Sequence, residues 1–144
     1  MPKRKVRIKV RLILYDRGNI LLLKQTKPNG GNYTLVGGNL EKGEHAKEAL
    51  IRESFEEAGI TLQARDLELV HVLQKNTSKE QRFVLYFKAM RWEGKARSRE
   101  RKKFKAAEWF DVDELPKNLT ATVDHVMREY RRGMRYSEIP GKKK

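Results

Sequence analysis

Residues 37–60 read GGNLEKGEHAKEALIRESFEEAGI and place glutamates at 41, 44, 48, 53, 56 and 57, in a chain of formal charge +14. Gly37 and Gly38 open the stretch and Gly59 closes it. The run 44–58 reads as a helix, with Gly59 as a left-handed C-cap followed by the apolar Ile60. On that helix Glu53, Glu56 and Glu57 stand at i, i+3 and i+4, within an arc of about 100°. Leu50, Ile51, Phe55 and Ala58 are the residues expected to pack inward. Three carboxylates so spaced repel by roughly 0.2–0.5 kcal/mol per pair. They also stand near the helix C-terminus, where the macrodipole disfavours anions. Local stability would not choose this arrangement. A solvated acidic face is the plain alternative, but Arg52 is the only cation between Ile51 and Ala58 in a chain otherwise rich in lysine.

Working outward, Val6, Ile8, Val10, Leu12 and Leu14 alternate with Lys5, Arg7, Lys9 and Arg11, the period of a strand with a basic outer face. Asp16-Arg17-Gly18-Asn19 reads as a turn into a second strand over 20–24, hence a hairpin. A short strand over 33–36 leads into Gly37. Further strands are expected at 67–73 and 82–89, separated by a polar loop at 74–80. A charged loop at 93–105 precedes a last strand at 106–110. The spacing of Val123, Val126, Met127 and Tyr130 predicts a helix over 119–132, with Gly133 able to end it. Interspersed strands and helices with no internal repeat point to an α/β sandwich with a mixed sheet. The 144 residues suit one domain, 1–144, with basic ends at 1–4 and 138–144 expected to be mobile.

Hydrophobic residues make up 38% and charged residues 36%, and there is no cysteine, so disulfides and thiolate metal sites are excluded. No apolar run approaches the roughly 18 residues of a membrane helix. The basic N-terminus lacks an apolar signal core, so the expected location is cytoplasmic. The positive balance suits anionic partners, small or polymeric. His45, His71 and His125 show no zinc spacing, and Asp111-Val-Asp113 lacks the rest of a calcium loop.

A strand, a glycine-rich loop and a helix with clustered carboxylates suit a hard cation. Mg²⁺ takes oxygen ligands and keeps positions for phosphate oxygens. On this reading the glutamates hold metal and the surrounding cations draw a polyanionic substrate.

The stretch resembles the box of the Nudix hydrolase family, MutT-like members included: G-x5-E-x7-R-E-U-x-E-E-x-G-U, with U aliphatic. Gly38, Glu44, Arg52, Glu53, Glu56, Glu57, Gly59 and Ile60 match at the required spacing. Ser54 departs, standing where an aliphatic residue usually packs, and Val36 stands where proline is common. The resemblance implies an α/β/α sandwich with a mixed sheet. It implies a pyrophosphohydrolase that uses Mg²⁺ or Mn²⁺ on a nucleoside diphosphate linked to another group. A (deoxy)nucleoside triphosphate is the first such substrate, an oxidised purine such as 8-oxo-dGTP included, cut to nucleoside monophosphate and pyrophosphate. Glu53, Glu56 and Glu57 would ligate metal with the carbonyl of Gly38. Glu44 would support the site or bind a further cation, and Arg52 would hold Glu44 or Glu53 in place.

Two candidates for the base that activates water are Glu53 and Glu100, the latter standing among Arg97, Arg99, Arg101, Lys102 and Lys103. For Glu100 the alternative is an ion pair with its neighbours. Asn118 is a candidate to read a purine, or else Asn118 or Thr120 caps the last helix. Lys24, at a strand end, would contact phosphate or simply be solvated. The basic loop 95–105, with Trp92 and Phe104 nearby, makes RNA the rival partner, through action on RNA 5′ ends or binding without catalysis. Nothing in the sequence sets the oligomeric state.

Overall fold

A computed structural model of the chain describes residues 5–141. The strands are β1 (Lys5–Asp16), β2 (Asn19–Gln25), β3 (Tyr33–Thr34), β4 (Gly37–Asn39), β5 (Glu68–Asn76), β6 (Glu80–Ala89), β7 (Phe104–Asp111) and β8 (Tyr136–Ile139). The helices are α1 (Ala46–Ala58) and α2 (Ala121–Arg131). The strands run in the order β3-β2-β1-β6-β5-β8, with β4 on β1 and β7 on β2. β1 with β6 and β5 with β8 are parallel, and the other pairings are antiparallel. The sheet is therefore mixed, as expected.

Alternation along the strands sends side chains to two cores. Val10, Leu12 and Leu14 of β1 and Leu21 and Leu23 of β2 pack with Ala49, Leu50 and Ala58 of α1. Ile13, Ile20 and Leu22 pack with Val123, Val126 and Met127 of α2. Since neighbouring strand residues face opposite sides, α1 and α2 cover opposite faces of one sheet.

The β1–β2 hairpin turns on Arg17 and Gly18, both with positive φ (51° and 87°), which matches the right-handed twist of its strands. Three expectations need correction. Residues 138 and 139, assigned to a mobile tail, lie in β8, where Ser137, Glu138 and Ile139 pair with Leu73, Gln74 and Lys75. A four-residue edge strand has no signal apart from its partner. The helix starts at Ala46, not residue 44, because Glu44 is drawn out of it toward Arg52. And Phe55 is exposed, while Ser54 and Glu57 turn inward with Leu50 and Ala58. The expected basic ends at 1–4 and 142–144 lie outside the described residues.

Candidate active site

Gly37, Gly38 and Asn39 bring a strand without bulky side chains against α1. A Cβ at Gly38 would stand 2.6 Å from Cδ and Oε2 of Glu53, so the carboxylate lies directly on the glycine backbone. A Cβ at Gly37 would stand 2.0 Å from the Val10 carbonyl oxygen and 2.8 Å from Arg11 Cδ. A side chain at Gly37 would require the strand to move, and one at Gly38 would push the Glu53 carboxylate off the glycine backbone.

Arg52 ties the cluster together. Its Nε donates to Glu44 Oε2 at 2.8 Å and its Nη2 to Glu44 Oε1 at 3.0 Å, a two-point pairing of guanidinium and carboxylate. Its Nη1 donates to Glu53 Oε1 at 2.7 Å and to Glu56 Oε2 at 3.4 Å, and Nη2 also reaches the Asn39 carbonyl at 3.1 Å. Glu41 stands 3.6 Å away. The sequence offered Glu44 or Glu53 as the partner of Arg52; the side chain takes both. The hydrogen bonds from Arg52, with the amide of Glu41, hold the Glu44 carboxyl down at about 2.

Glu57 is 5% exposed and accepts one hydrogen bond, 2.9 Å from the Gly37 amide. Burial pushes its carboxyl up to about 8, opposed by that amide and by the Arg11 charge, and helped by Glu53 and Glu100. Burial likewise raises Glu53, against Arg52, with Glu56 and Glu100 adding repulsion. Glu100 is thus near enough for its charge to act on both helix carboxylates, and its own Oε2 lies 3.3 Å from Lys103 Nζ. The ion-pair alternative for Glu100 is present in the structure, and so is its proximity to the cluster.

The basic loop is docked, not free. Arg97 N donates to the Ala58 carbonyl at 3.0 Å and Arg99 N to that of Glu57 at 2.9 Å, so two of the carbonyls left over at the end of α1 are satisfied from this loop. The Arg99 guanidinium lies 4.6 Å from the centre of the Phe55 ring, and Ser98 Oγ, buried, donates to the Phe104 carbonyl. These contacts carry Glu100 to the helix.

Two sequence candidates stand apart from the carboxylates. Lys24 Nζ sits 4.6 Å over the Tyr33 ring, with no contact to the cluster among the described residues. Asn118 Nδ2 donates to the Gly31 carbonyl at 3.4 Å and its carbonyl accepts from Tyr33 N at 2.9 Å. Thr120, not Asn118, occupies the N-cap of α2, and its side chain makes no capping hydrogen bond. Arg11 was not singled out from sequence. Its Nη1 donates to the Leu35 carbonyl at 2.8 Å and it lies across from Gly37 in the β1–β4 pairing. Only that long-range pairing marks it.

The donors fit a hard cation in kind: carboxylates on one helix turn and a glycine carbonyl nearby, all oxygen. The raised carboxyls of Glu53 and Glu57 also fit, since burial strips water from their anions and a bound cation would offset that loss. Among the described residues no three acidic or histidine side chains are arranged to hold an ion as they stand. Arg52 instead draws Glu53 and Glu56 to itself.

The NUDIX domain family profile matches residues 5–130. The chain belongs to the NUDIX domain family. It is similar in structure to the MutT NUDIX hydrolase of Burkholderia pseudomallei, with TM-score 0.78, 27% identity, and coverage of 87% of this chain and 98% of that one. It shares its fold with the MutT protein of Methanosarcina mazei Go1, at TM-score 0.77 and 19% identity over 92% of this chain and 97% of that one. In sequence, 55 residues are 42% identical to the NAD-capped RNA hydrolase NudC of Haemophilus influenzae. That match takes in 35% of this chain and 21% of NudC, so the chain spans about a fifth of that relative's length. The family and fold drawn from residues 38–60 are those found, and they support the expected pyrophosphohydrolase class.

Proposed function

We propose that this NUDIX domain hydrolyses a nucleoside diphosphate linked to a further group. A (deoxy)nucleoside triphosphate, including an oxidised purine such as 8-oxo-dGTP, is the first substrate, giving nucleoside monophosphate and pyrophosphate. The observation that carries this reading is the packing of Glu53 on the Gly38 backbone beside Glu56 and buried Glu57, with Arg52 spanning Glu44, Glu53 and Glu56. Mg²⁺ or Mn²⁺ would be held by Glu53, Glu56, Glu57 and the Gly38 carbonyl, with Glu44 in support. Such an ion neutralises phosphate charge and acidifies bound water. Arg52 positions the carboxylates, and its loss should damage geometry first. Glu53 or Glu100 takes the proton from the attacking water. Lys24 and Asn118 would touch substrate only if it extended toward Tyr33 and Gly31.

The test is pyrophosphate and phosphate release over nucleoside triphosphates, ADP-ribose, dinucleoside polyphosphates and 5′-triphosphorylated RNA, each with Mg²⁺ and Mn²⁺. Turnover that vanishes in Glu56→Gln supports the reading; no turnover of any of them refutes it. Replacing Glu100 with Gln should cut kcat by about 10²-fold or more if it is the base. A near-normal rate with unchanged metal dependence would leave Glu53 as the base.

A second reading is action on RNA 5′ ends. It draws on the 55-residue similarity to NudC, a NAD-capped RNA hydrolase, and on the excess positive charge. RNA binding at low salt without hydrolysis would favour a binding module instead.

A further inference from the structure

The odd-numbered face of β1, expected to be a basic outer face, is a half-enclosed cationic row. Arg7 pairs in register with Arg82 of β6, and Arg82 with Lys75 of β5, so three cations stand abreast on one face. Lys9 follows one step along the same face of β1 and is partly buried. The carboxylate set among them is Glu80, whose Oε2 accepts from Arg7 Nε at 3.0 Å. Its Oε1 accepts from Arg82 Nε at 2.9 Å and Nη2 at 2.6 Å. Four cations against one carboxylate leave an excess of three positive charges. The residues outside the described stretch bring no acidic side chain to it. Burial, with the Arg82 charge next, pushes the Lys9 ammonium down to about 8, against the pull of Glu80.

α2 begins over this row. Lys75 Nζ donates to Thr122 Oγ1 at 2.8 Å, and the positive end of the helix dipole lies beside it. Like charges across neighbouring strands are destabilising. An anion from outside would relieve them, and the forked guanidinium groups of Arg7 and Arg82, steered by Glu80, suit the oxygens of a phosphate.

The row adjoins the carboxylate site through β4, which is one backbone thick. Glu53 lies against Gly38 on one side; Arg11, two residues along the row's face from Lys9, lies against Gly37 on the other. Lys9 is the cross-strand partner of Asn39, whose carbonyl holds Arg52. One molecule can therefore lie across the glycine strand.

We propose that the substrate carries a second phosphate, remote from the diphosphate that is cut, and that Arg7, Lys9, Lys75 and Arg82 bind it. This rests on the hydrolase reading above and narrows its substrate class. The second phosphate could be the first phosphodiester of an oligonucleotide or the far phosphates of a dinucleoside polyphosphate.

The experiment is calorimetric binding, without turnover, of a nucleoside 5′-monophosphate, a 5′-monophosphorylated dinucleotide and a dinucleoside tetraphosphate. Each is titrated into the wild-type chain and into Arg82→Gln and Lys75→Gln, whose circular dichroism and melting confirm folding. The dinucleotide or the tetraphosphate should bind at least about tenfold tighter than the mononucleotide, as expected for charge-assisted contacts. The advantage should vanish in both variants, return partly in Arg82→Lys, and leave the mononucleotide affinity unchanged. Which ligand shows it identifies the source of the phosphate. Equal affinities in the wild type, no binding of any of the three, or an advantage that survives both substitutions would overturn the proposal. Because no turnover is needed, a failure of hydrolysis would count against the hydrolase reading alone.

Discussion

Two side chains inside α1 show how the site trades against the fold. Glu57 is held near neutrality by its burial, with its carboxyl at about 8. Between the ordinary carboxyl range and pH 8, the folded metal-free chain keeps a proton that the unfolded chain has released. Its stability is therefore full at low pH and falls as pH rises through about 8. If Glu57 ligates metal as proposed, the ion must displace that proton, so Mg²⁺ affinity by calorimetry should rise from pH 6 to about 8 and then level. A flat profile would mean that Glu57 is not a ligand. Ser54, next to Glu53 on α1, is fully buried with its hydroxyl unpaired among the described residues. Ser54→Ala removes an unsatisfied group and adds helix propensity, and should raise stability in urea unfolding by about 1 kcal/mol. A loss of stability there would show that the hydroxyl has a partner.

At the scale of the element, α1 is shaped by what closes it. Gly59 sits at φ 69°, its amide donating to the Phe55 carbonyl at 3.1 Å, and Ile60 beyond it is buried. A Cβ there would meet Arg99 Cδ at 3.0 Å. Gly59→Ala should cost about 1 kcal/mol or more from the left-handed backbone alone. It would also press on the loop that delivers Glu100, so kcat should fall along with the denaturation midpoint. A variant that loses stability but keeps full kcat would separate that loop from the chemistry. The capping glycine, the apolar stripe of α2 and the two-residue hairpin turn were all readable locally, because each is decided within about one turn of chain. The inward face of α1 was misread at Phe55. Periodicity identifies a face, but which face is buried depends on where the sheet lies.

At the scale of the whole molecule, one sheet carries two cores and a formal charge of +14. Self-repulsion of that size opposes compaction and is screened by salt, with a Debye length of about 30 Å at 0.01 M and about 8 Å at 0.15 M. The melting temperature should therefore rise with NaCl across that range. A fall would mean that the Arg52 and Glu80 ion-pair networks outweigh the net charge. The sequence by itself determined the family box and the α/β class. The spacing of Glu53, Glu56 and Glu57 did the same for their shared helix turn, because one rigid helix sets the geometry of residues three and four apart. The tertiary structure alone decided what surrounds that turn. It brought Glu100 to the cluster on a loop docked under α1, Arg11 beside Gly37, and Arg7, Arg82 and Lys75 into one row. Those groups are tens of residues apart in the chain: strand register, set by burying two cores at once, makes the cations neighbours, and the loop's hydrogen bonds to the end of α1 bring Glu100 in.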